Sequence, residues 1–392
     1  MKKKIVISLI VVIIVALLAL IYRFYVYYPD LRIRVTALYY ERSNVVECEN
    51  DYFVLSDGKI TNADTREVIY SVKDNNSFIK SYNELIWVFE SNSNDKLKAI
   101  DKNGNLKKHY QLPGNTTDFL INDDVIFALT SDELKMFRLT SDEHLERIDI
   151  AYSFVFHSDD NRFDLYKYSC EYGECLYFDM SDTNDKDAYY AINNERNEVI
   201  GASETNIIDL LSYEKDKIYY TRSHFNLETM AEYSFKDNIE KISRLEFGKY
   251  ARGFFQRFYP CSDSDSILLI SQTITSRSFT KEARIYYSDE MKKHDHDYLV
   301  IIDKHNFELK EKKTKTFERI IYADSEQAIT YYKGKYLTYS LNDWEVTDKQ
   351  SASEIKEGGS YNFVPCGEYI FVFDNTSGEL LNKISIPVNT PA

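Results

Sequence analysis

A short unit that recurs along the chain is the feature that most restricts its fold. In each copy, a turn rich in Asp, Glu, Asn or Gly leads into a short strand of apolar and aromatic residues. Clear copies begin near residues 51, 83, 124, 216, 265, 326 and 368, and a further copy at 163–179 fills the gap near residue 165. The copies lie about 32 to 60 residues apart, which is the range expected when each repeat is one supersecondary unit.

The residues around each unit predict β-hairpins. Asp and Asn side chains bond to their own backbone, and Gly or Asn tolerates positive φ, so the chain can reverse direction there. A second, Asp-led turn follows in several copies, at 100–106, 302–309 and 373–380. The flanking residues alternate in polarity, as at 336–341, which is typical of strands. The 33 tyrosines and 23 phenylalanines fit the half-buried face of a sheet.

The unit pattern resembles that of bacterial β-propeller repeat proteins, in which four-stranded blades surround a central channel. The resemblance covers residues 45–386 and is one of pattern, because the Trp-Asp and Gly-His pairs of WD40 repeats do not occur. It implies an all-β propeller of about seven four-stranded blades, if the first and last segments share a blade; six or eight blades are alternatives. A pair of β-sandwiches is the rival architecture, although it does not need so many similar units.

Residues 5–22 form an apolar run of 18 residues without a charge. At helical rise this run spans about 27 Å, close to the thickness of a bilayer's hydrocarbon core, so it predicts a transmembrane anchor. Aromatic residues at 22–28 suit the headgroup layer. A cleaved signal peptide is the alternative, but its apolar region is usually only about 7–15 residues long.

The charges beside this run predict its orientation in a plasma membrane. Lys2, Lys3 and Lys4 precede it and only Arg23 follows closely, which favours a cytoplasmic N-terminus and an extracytoplasmic C-terminal domain. The predicted division is a cytoplasmic tail at 1–4, the anchor at 5–22, a juxtamembrane stalk at 23–44 and the propeller domain at 45–392. Residues 31–35 alternate in polarity, which leaves a strand lying against the domain as a second interpretation of the stalk.

The cysteines suggest two disulfides. Cys48 and Cys366 occupy matching places in the first and last units, which are neighbours in a closed ring, so we hypothesise a bond between them; two free buried thiols are the alternative. Cys170 and Cys175 flank Gly173 and are candidates for a disulfide across a hairpin. Cys261 is left over, so the odd count indicates at least one free thiol.

Candidate metal ligands are few. His294 and His296 alternate, so in a strand they would point the same way and could share a metal, whereas in a loop they would be solvated. The acidic segments 158–161 and 261–265 carry oxygen ligands suited to calcium or another divalent metal, but neither has the spacing of an EF-hand. No other cofactor is predicted.

The function predicted from the sequence is a non-catalytic scaffold that binds a surface protein, peptide or glycan. A net charge of −15 argues against nucleic acid, and no nucleophile elbow, phosphate loop or dinucleotide fingerprint nominates catalytic residues. The alternatives are a propeller enzyme acting on carbohydrate, and a sensor or assembly subunit of an envelope complex. The inserts at 180–212 and 275–297 are the predicted recognition loops, while Trp87 and Trp344 fit the core better than a sugar-stacking surface.

Overall fold

The structure, a computed structural model, consists almost entirely of β-strands. It describes residues 13–18, 33–37, 44–73, 77–92, 96–130, 134–140, 144–148, 167–172, 175–181, 187–193, 195–205, 209–214, 217–221, 229–237, 239–244, 256–261, 266–273, 296–315, 318–356 and 358–387. Residues 13–18 are helical.

The strands of the described residues form eight four-stranded sheets that follow one another along the chain. The strands of the first four complete sheets are β2 Val45–Cys48, β3 Asp51–Ser56, β4 Lys59–Asn62, β5 Val68–Ser71; β6 Phe78–Tyr82, β7 Leu85–Phe89, β8 Leu97–Ile100, β9 Leu106–Tyr110; β10 Thr116–Asn122, β11 Val125–Thr130, β12 Leu134–Leu139, β13 Leu145–Ile148; and β14 Lys167–Tyr172, β15 Cys175–Ser181, β16 Asp187–Asn193, β17 Glu198–Thr205.

The remaining sheets repeat the same antiparallel order, except for the last, which takes one strand from the N-terminal region. Their strands are β18 Asp209–Glu214, β19 Lys217–Thr221, β20 Thr229–Ser234, β21 Ile239–Arg244; β22 Gln256–Cys261, β23 Ser266–Thr273, β24 Tyr298–Asp303, β25 Leu309–Lys313; β26 Arg319–Ala323, β27 Gln327–Tyr332, β28 Lys335–Ser340, β29 Val346–Ser351; and β1 Arg34–Ala37 with β30 Ser360–Cys366, β31 Tyr369–Asp374, β32 Leu380–Ser385.

The sheets form a ring in which the first strand of each lies nearest the axis. The first strands of neighbouring sheets contact one another, as β2 contacts β6 and β26 contacts β30, and β30 in turn contacts β2 and so closes the circle. The predicted all-β propeller of four-stranded blades is confirmed. There are eight sheets, the highest of the predicted numbers. Each of the eight apolar units supplies the second strand of its own sheet, when β30 is counted as the first strand of the last one.

The predicted Asp-led turns at 100–106 and 302–309 join the third and fourth strands of their sheets, whereas the one at 373–380 joins β31 to β32. Asp101 accepts hydrogen bonds from the backbone N–H groups of Asn103 and Asn105, each at 2.9 Å. Gly104 has a φ of 82°, and a Cβ there would lie 1.9 Å from the Ile69 carbonyl oxygen of the preceding sheet, so only glycine fits. The local turn chemistry therefore also sets how closely two sheets approach.

One predicted recognition loop is instead part of the sheet framework. Strands β16, β17 and the start of β18 occupy most of residues 180–212, so this segment completes one sheet and begins the next. The segment lies between the apolar units at 163–179 and 216, and the prediction took this wide spacing for an insert. The second predicted loop, 275–297, lies outside the described residues except for 296 and 297.

Strand β1 completes the last sheet from the inside of the ring. It pairs in parallel with β30, with Arg34 opposite Ser360 and Val35 opposite Tyr361. Because β30 contacts the first strands of both neighbouring sheets and β31 occupies its outer edge, β1 pairs with its inner edge and lies on the channel side. Ile33, just before it, is only 1% exposed. Of the two interpretations of residues 23–44, the strand against the domain is the one found for 34–37.

The seam between the first and last sheets carries several polar contacts. The Ser56 hydroxyl donates to the Gly378 carbonyl oxygen at 2.7 Å, and Arg66 donates to the Leu380 carbonyl oxygen at 3.2 Å. The Lys383 ammonium lies 2.5 Å from a carboxylate oxygen of Asp64. These contacts join residues more than 300 positions apart in sequence, so they hold the ring closed.

The alternating strand directions give the ring two different faces. Turns between first and second strands and between third and fourth strands lie on one face, which we call the hairpin face; residues 101–105 and 303–308 are examples. Turns between second and third strands, together with the links from one sheet to the next, lie on the other, which we call the connection face; residues 333–334 and 314–318 are examples. Since β1 runs parallel to β30, residue 33 is at the connection face.

Acidification is expected to destabilise the Asp-led turns. Backbone N–H donors hold the pKa of Asp303 and Asp374 below its ordinary value. Such groups stabilise the fold above their unfolded pKa and lose this contribution as pH falls through the folded pKa. We expect the melting temperature to drop between about pH 5 and pH 2. A D303N/D374N variant, whose amides accept the same bonds but do not titrate, should show a shallower drop; parallel curves would contradict this.

Candidate functional site

A buried ion pair lies beneath the connection face, where one sheet is linked to the next. Arg319, at the start of β26, donates to the carboxylate of Asp297 at 2.5 Å, and the Ile320 N–H donates to the other carboxylate oxygen at 2.8 Å. Asp297 is fully buried and Arg319 is 5% exposed. The Thr314 hydroxyl accepts from the Asp297 N–H at 2.9 Å. Both charges are therefore compensated inside the protein.

Glu318 also stabilises the link between β25 and β26. Its carboxylate accepts hydrogen bonds from the Lys315 N–H at 2.9 Å and from the hydroxyls of Thr330 and Tyr339, both at 2.7 Å. Burial, and then the bonded Glu318 carboxylate, raises the pKa of Tyr339. The phenol therefore stays protonated and keeps donating to the carboxylate, which fixes the link between the sheets.

Above this network lies a group that we call the lysine–tyrosine cluster, consisting of the exposed Lys315 and Lys333, the half-buried Tyr332 and the buried Tyr339. The Lys315 ammonium is 5.7 Å from the centre of the Tyr332 ring and 3.3 Å from the Tyr339 hydroxyl oxygen. The Lys333 ammonium is 5.0 Å from the same Tyr332 ring. Both lysines are exposed. Two cations thus share one aromatic ring on the connection face.

The charge of this cluster is locally unbalanced. Within the described part of the chain, neither ammonium forms an ion pair with a carboxylate. The nearest acid of the link, Glu318, is 1% exposed and its oxygens are taken by other donors. In a chain with a net charge of −15, the cluster is a positive site suited to an anionic group.

These lysines are not among the site residues predicted from the sequence. Lys315 follows β25 by two residues, and Lys333 follows β27 directly. Neither position shows a motif, because the cluster forms only when the link and the turn of adjacent sheets meet in space. The available signal was the density of lysines at 310–315, four within six residues of an otherwise acidic chain.

Of the two candidate metal ligands, only His296 is described. Its Nδ1 lies 2.8 Å from the Thr314 carbonyl oxygen, at the edge of the buried network. Burial is the main cause that lowers the pKa of its imidazole. His294 and the acidic segments 158–161 and 262–265 lie outside the described residues. Across the residues that the structure describes, no three potential ligands cluster, and a metal at His294 and His296 stays a prediction.

The hypothesised disulfide between Cys48 and Cys366 is not formed, since both are free cysteines. Cys48 is buried in the cluster between the first and second sheets, with Ile79 and Val88. Cys366 packs against the cluster between the last and first sheets. The physical reason is rotational symmetry: matching positions face the same way around the ring, so each thiol faces the next sheet and not the other thiol.

The second cysteine pair lies in the predicted hairpin, but out of register. Cys170 is opposite Tyr177, and Cys175 is opposite Tyr172. The two cysteines are therefore diagonal neighbours, for which the Cα separation is about 7–8 Å, longer than most disulfides span. Cys261 ends β22, opposite Leu268.

Both tryptophans pack as the sequence indicated. Trp87 is 2% exposed and donates from Nε1 to the Tyr82 carbonyl oxygen at 3.2 Å. Trp344 stacks on Tyr339 with ring centres 4.9 Å apart and packs against the core of the last sheets. Trp87 therefore offers no open face for a sugar ring, and Trp344 is half-buried with one face against Tyr339.

The structure also describes a short helical segment near the N-terminus, at residues 13–18. No helix in the described ranges combines the length and the apolar character needed to cross a membrane. The helical residues 13–18 are all exposed, and Ile13, Val15 and Leu18 are exposed by 51%, 58% and 58%.

Comparison with known proteins supports the fold alone. No protein-family model and no curated protein matches the chain. Among solved structures, the computationally designed Ika8 protein is similar with a TM-score of 0.51 and 6% identity, covering 91% of this chain and 100% of that chain. Kluyveromyces lactis Hsv2 has a TM-score of 0.42 and 10% identity, covering 79% and 99%. Citrobacter koseri AztD has a TM-score of 0.39 and 9% identity, covering 88% and 93%. The chain is a β-propeller protein.

Proposed function

We propose that this propeller is a non-catalytic binding scaffold, tethered to a membrane through residues 5–22 and held outside the cytoplasm. The observation that carries the proposal is the uncovered helical segment 13–18, whose side chains are apolar on every side and do not pack against the ring. An all-round apolar helix needs an apolar surrounding. Its position within an uncharged run of 18 residues favours a bilayer as that surrounding.

The path of β1 supports a defined orientation for the tethered ring. Residue 33 is at the connection face, and ten residues separate it from the end of the apolar run at 22. A chain of ten residues spans at most about 35 Å. In the proposed arrangement the connection face is therefore the one nearest the membrane, and the hairpin face is directed away from it.

The connection between β23 and β24, which belongs to the connection face, is the segment proposed for recognition of a protein, peptide or glycan close to the membrane surface. Its ends are adjacent, because Ser271 pairs with Tyr298 across the ladder. The segment can therefore vary without changing the sheet. Asp297 must be kept, since it belongs to the buried ion pair with Arg319. Removing the whole of 275–297 would unfold this link, so a loop deletion should be confined to 276–293.

The tether is tested by charging the apolar segment in the full-length protein. Membranes from cells that express the wild type and an I13R/L17R variant are washed at high pH, and the retained protein is measured. We expect the wild type to stay with the bilayer and the variant to be released. Protease added outside the cells should digest the wild-type domain. Release of both proteins, or protection of the domain, would overturn the proposal.

The same membranes test the binding role. Residues 276–293 are replaced by a Gly-Ser linker of equal length, so that loop sequence is changed but loop length is not. Crosslinking in intact membranes is expected to give adducts with the wild type and to lose them with the linker variant, while both proteins melt at the same temperature. Equal adducts from both would count against a binding role for this segment.

A further inference from the structure

We infer that the lysine–tyrosine cluster docks the connection face on anionic lipid headgroups, with Lys315 and Lys333 binding lipid phosphate. This inference rests on the proposed tether, because the tether supplies the membrane. The cluster itself is observed independently of it: two exposed ammonium groups share the Tyr332 ring at 5.7 and 5.0 Å. Neither forms an ion pair with a carboxylate of the described residues.

The position of the cluster matches the path of the N-terminal segment. Lys315 lies in the link from β25 to β26, and Lys333 lies in the turn from β27 to β28, so both belong to the connection face. Residue 33 is at the same face, because β1 runs parallel to β30. A tether that leaves from this face brings the two lysines toward the surface that holds the tether.

The overall charge makes such a local contact necessary. A chain with a net charge of −15 is repelled by an anionic surface, so close approach needs a positive patch turned toward it. Lysines beside a membrane are attracted to anionic headgroups when they lie close to the surface. Tyr332, which is half-buried, adds an amphipathic ring of the kind found in the headgroup layer.

The hairpin face provides a matched comparison. Lys102 and Lys236 lie in turns between third and fourth strands; Lys236 is exposed and Lys102 is half-buried. Lys102 is paired with Glu49, another residue of a hairpin-face turn. These two lysines carry the same charge as Lys315 and Lys333 but face away from the proposed membrane surface, so they control for a general electrostatic effect.

The test uses the full-length protein inserted in zwitterionic vesicles and in vesicles that contain anionic lipid. Lysines are acylated with an amine reagent, and the rate at each site is read by mass spectrometry. We expect several-fold slower acylation of Lys315 and Lys333 in anionic vesicles only, with Lys102 and Lys236 unchanged. Lys335, an exposed neighbour of the cluster, should also be acylated more slowly in anionic vesicles. This slowing should disappear in a K315Q/K333Q variant and persist in a K102Q/K236Q variant.

The outcomes separate the two proposals. Flotation of the vesicles on a density gradient shows whether the protein is bound to them. If the protein floats with neither vesicle type, the proposed tether is wrong, and the docking inference is wrong with it. If it floats with both and acylation of Lys315 and Lys333 does not depend on lipid charge, the tether stands and docking is wrong. If inorganic phosphate added to zwitterionic vesicles protects both lysines equally well, the cluster takes its anion from solution, and the lipid assignment is overturned.

Discussion

Replacing Asp297 with alanine is expected to lower the free energy of unfolding by about 3–5 kcal/mol. Arg319 is 5% exposed and would remain buried without its counter-ion, while the Ile320 N–H would lose its acceptor. Urea unfolding followed by tyrosine and tryptophan fluorescence measures the change. The effect is large because the Arg319 guanidinium and the Ile320 N–H are both buried. Neither group can bond to water unless the link between the two sheets opens.

Two comparisons show whether the loss comes from the buried charge. A D297V/R319M variant removes both charges and keeps apolar volume, so it should be much more stable than D297A alone. The exposed pair of Arg138 and Asp124, 3.7 Å apart, serves as control, because D124A should change stability by less than about 1 kcal/mol. A D297A variant as stable as D124A would show that the buried pair contributes little.

Replacing Ile33 with alanine is expected to destabilise the ring by about 2–5 kcal/mol. Ile33 is 1% exposed and belongs to the cluster that includes Phe363 and Ile384 of the last sheet. Truncation leaves a cavity and weakens the hold of β1 on β30. Hydrogen exchange should then speed up at β30 before it does at distant strands. As control, L106A, at a residue that is 53% exposed, should leave both stability and exchange in β30 unchanged.

A stable I33A variant with unaltered exchange in β30 would contradict the pairing of β1. Loss of β1 from the ring would leave β30 with an open inner edge, as the first strands of the other seven sheets already have. Thermal unfolding of I33A gives a second readout, since the lost packing of Ile33 should lower the melting temperature.

The propeller could be predicted from the sequence because its signal is local and repeated. Every apolar unit that the sequence shows became the second strand of a sheet, such as β7 at Leu85–Phe89, where strands are buried on both faces. An outer strand such as β25 is half exposed and carries a weaker pattern, and the strands within residues 180–212 were not predicted. The local pattern of apolar residues therefore predicted the buried inner strands better than the outer strands.

What the sequence could not predict depends on contacts between sheets. The match of Cys48 and Cys366 suggested a bond, whereas the symmetry of the ring directs both toward their next neighbours. The pairing of β1 with β30 joins segments more than 300 residues apart, and four residues carry too weak a pattern to choose a partner. The lysine–tyrosine cluster arises in the same way, from a link and a turn of successive sheets.

The parallel pairing of β1 with β30 has a mechanical consequence. A pull on the residues before 33 acts along the axis of β1, because the chain leaves at the start of that strand. The ladder bonds are spread evenly along a parallel pair, so such a load shears them together and does not peel them apart one at a time. Force applied to the residues before 33 is therefore shared by all the hydrogen bonds between β1 and β30. The ring can bear a load on its N-terminal segment without these bonds breaking one after another.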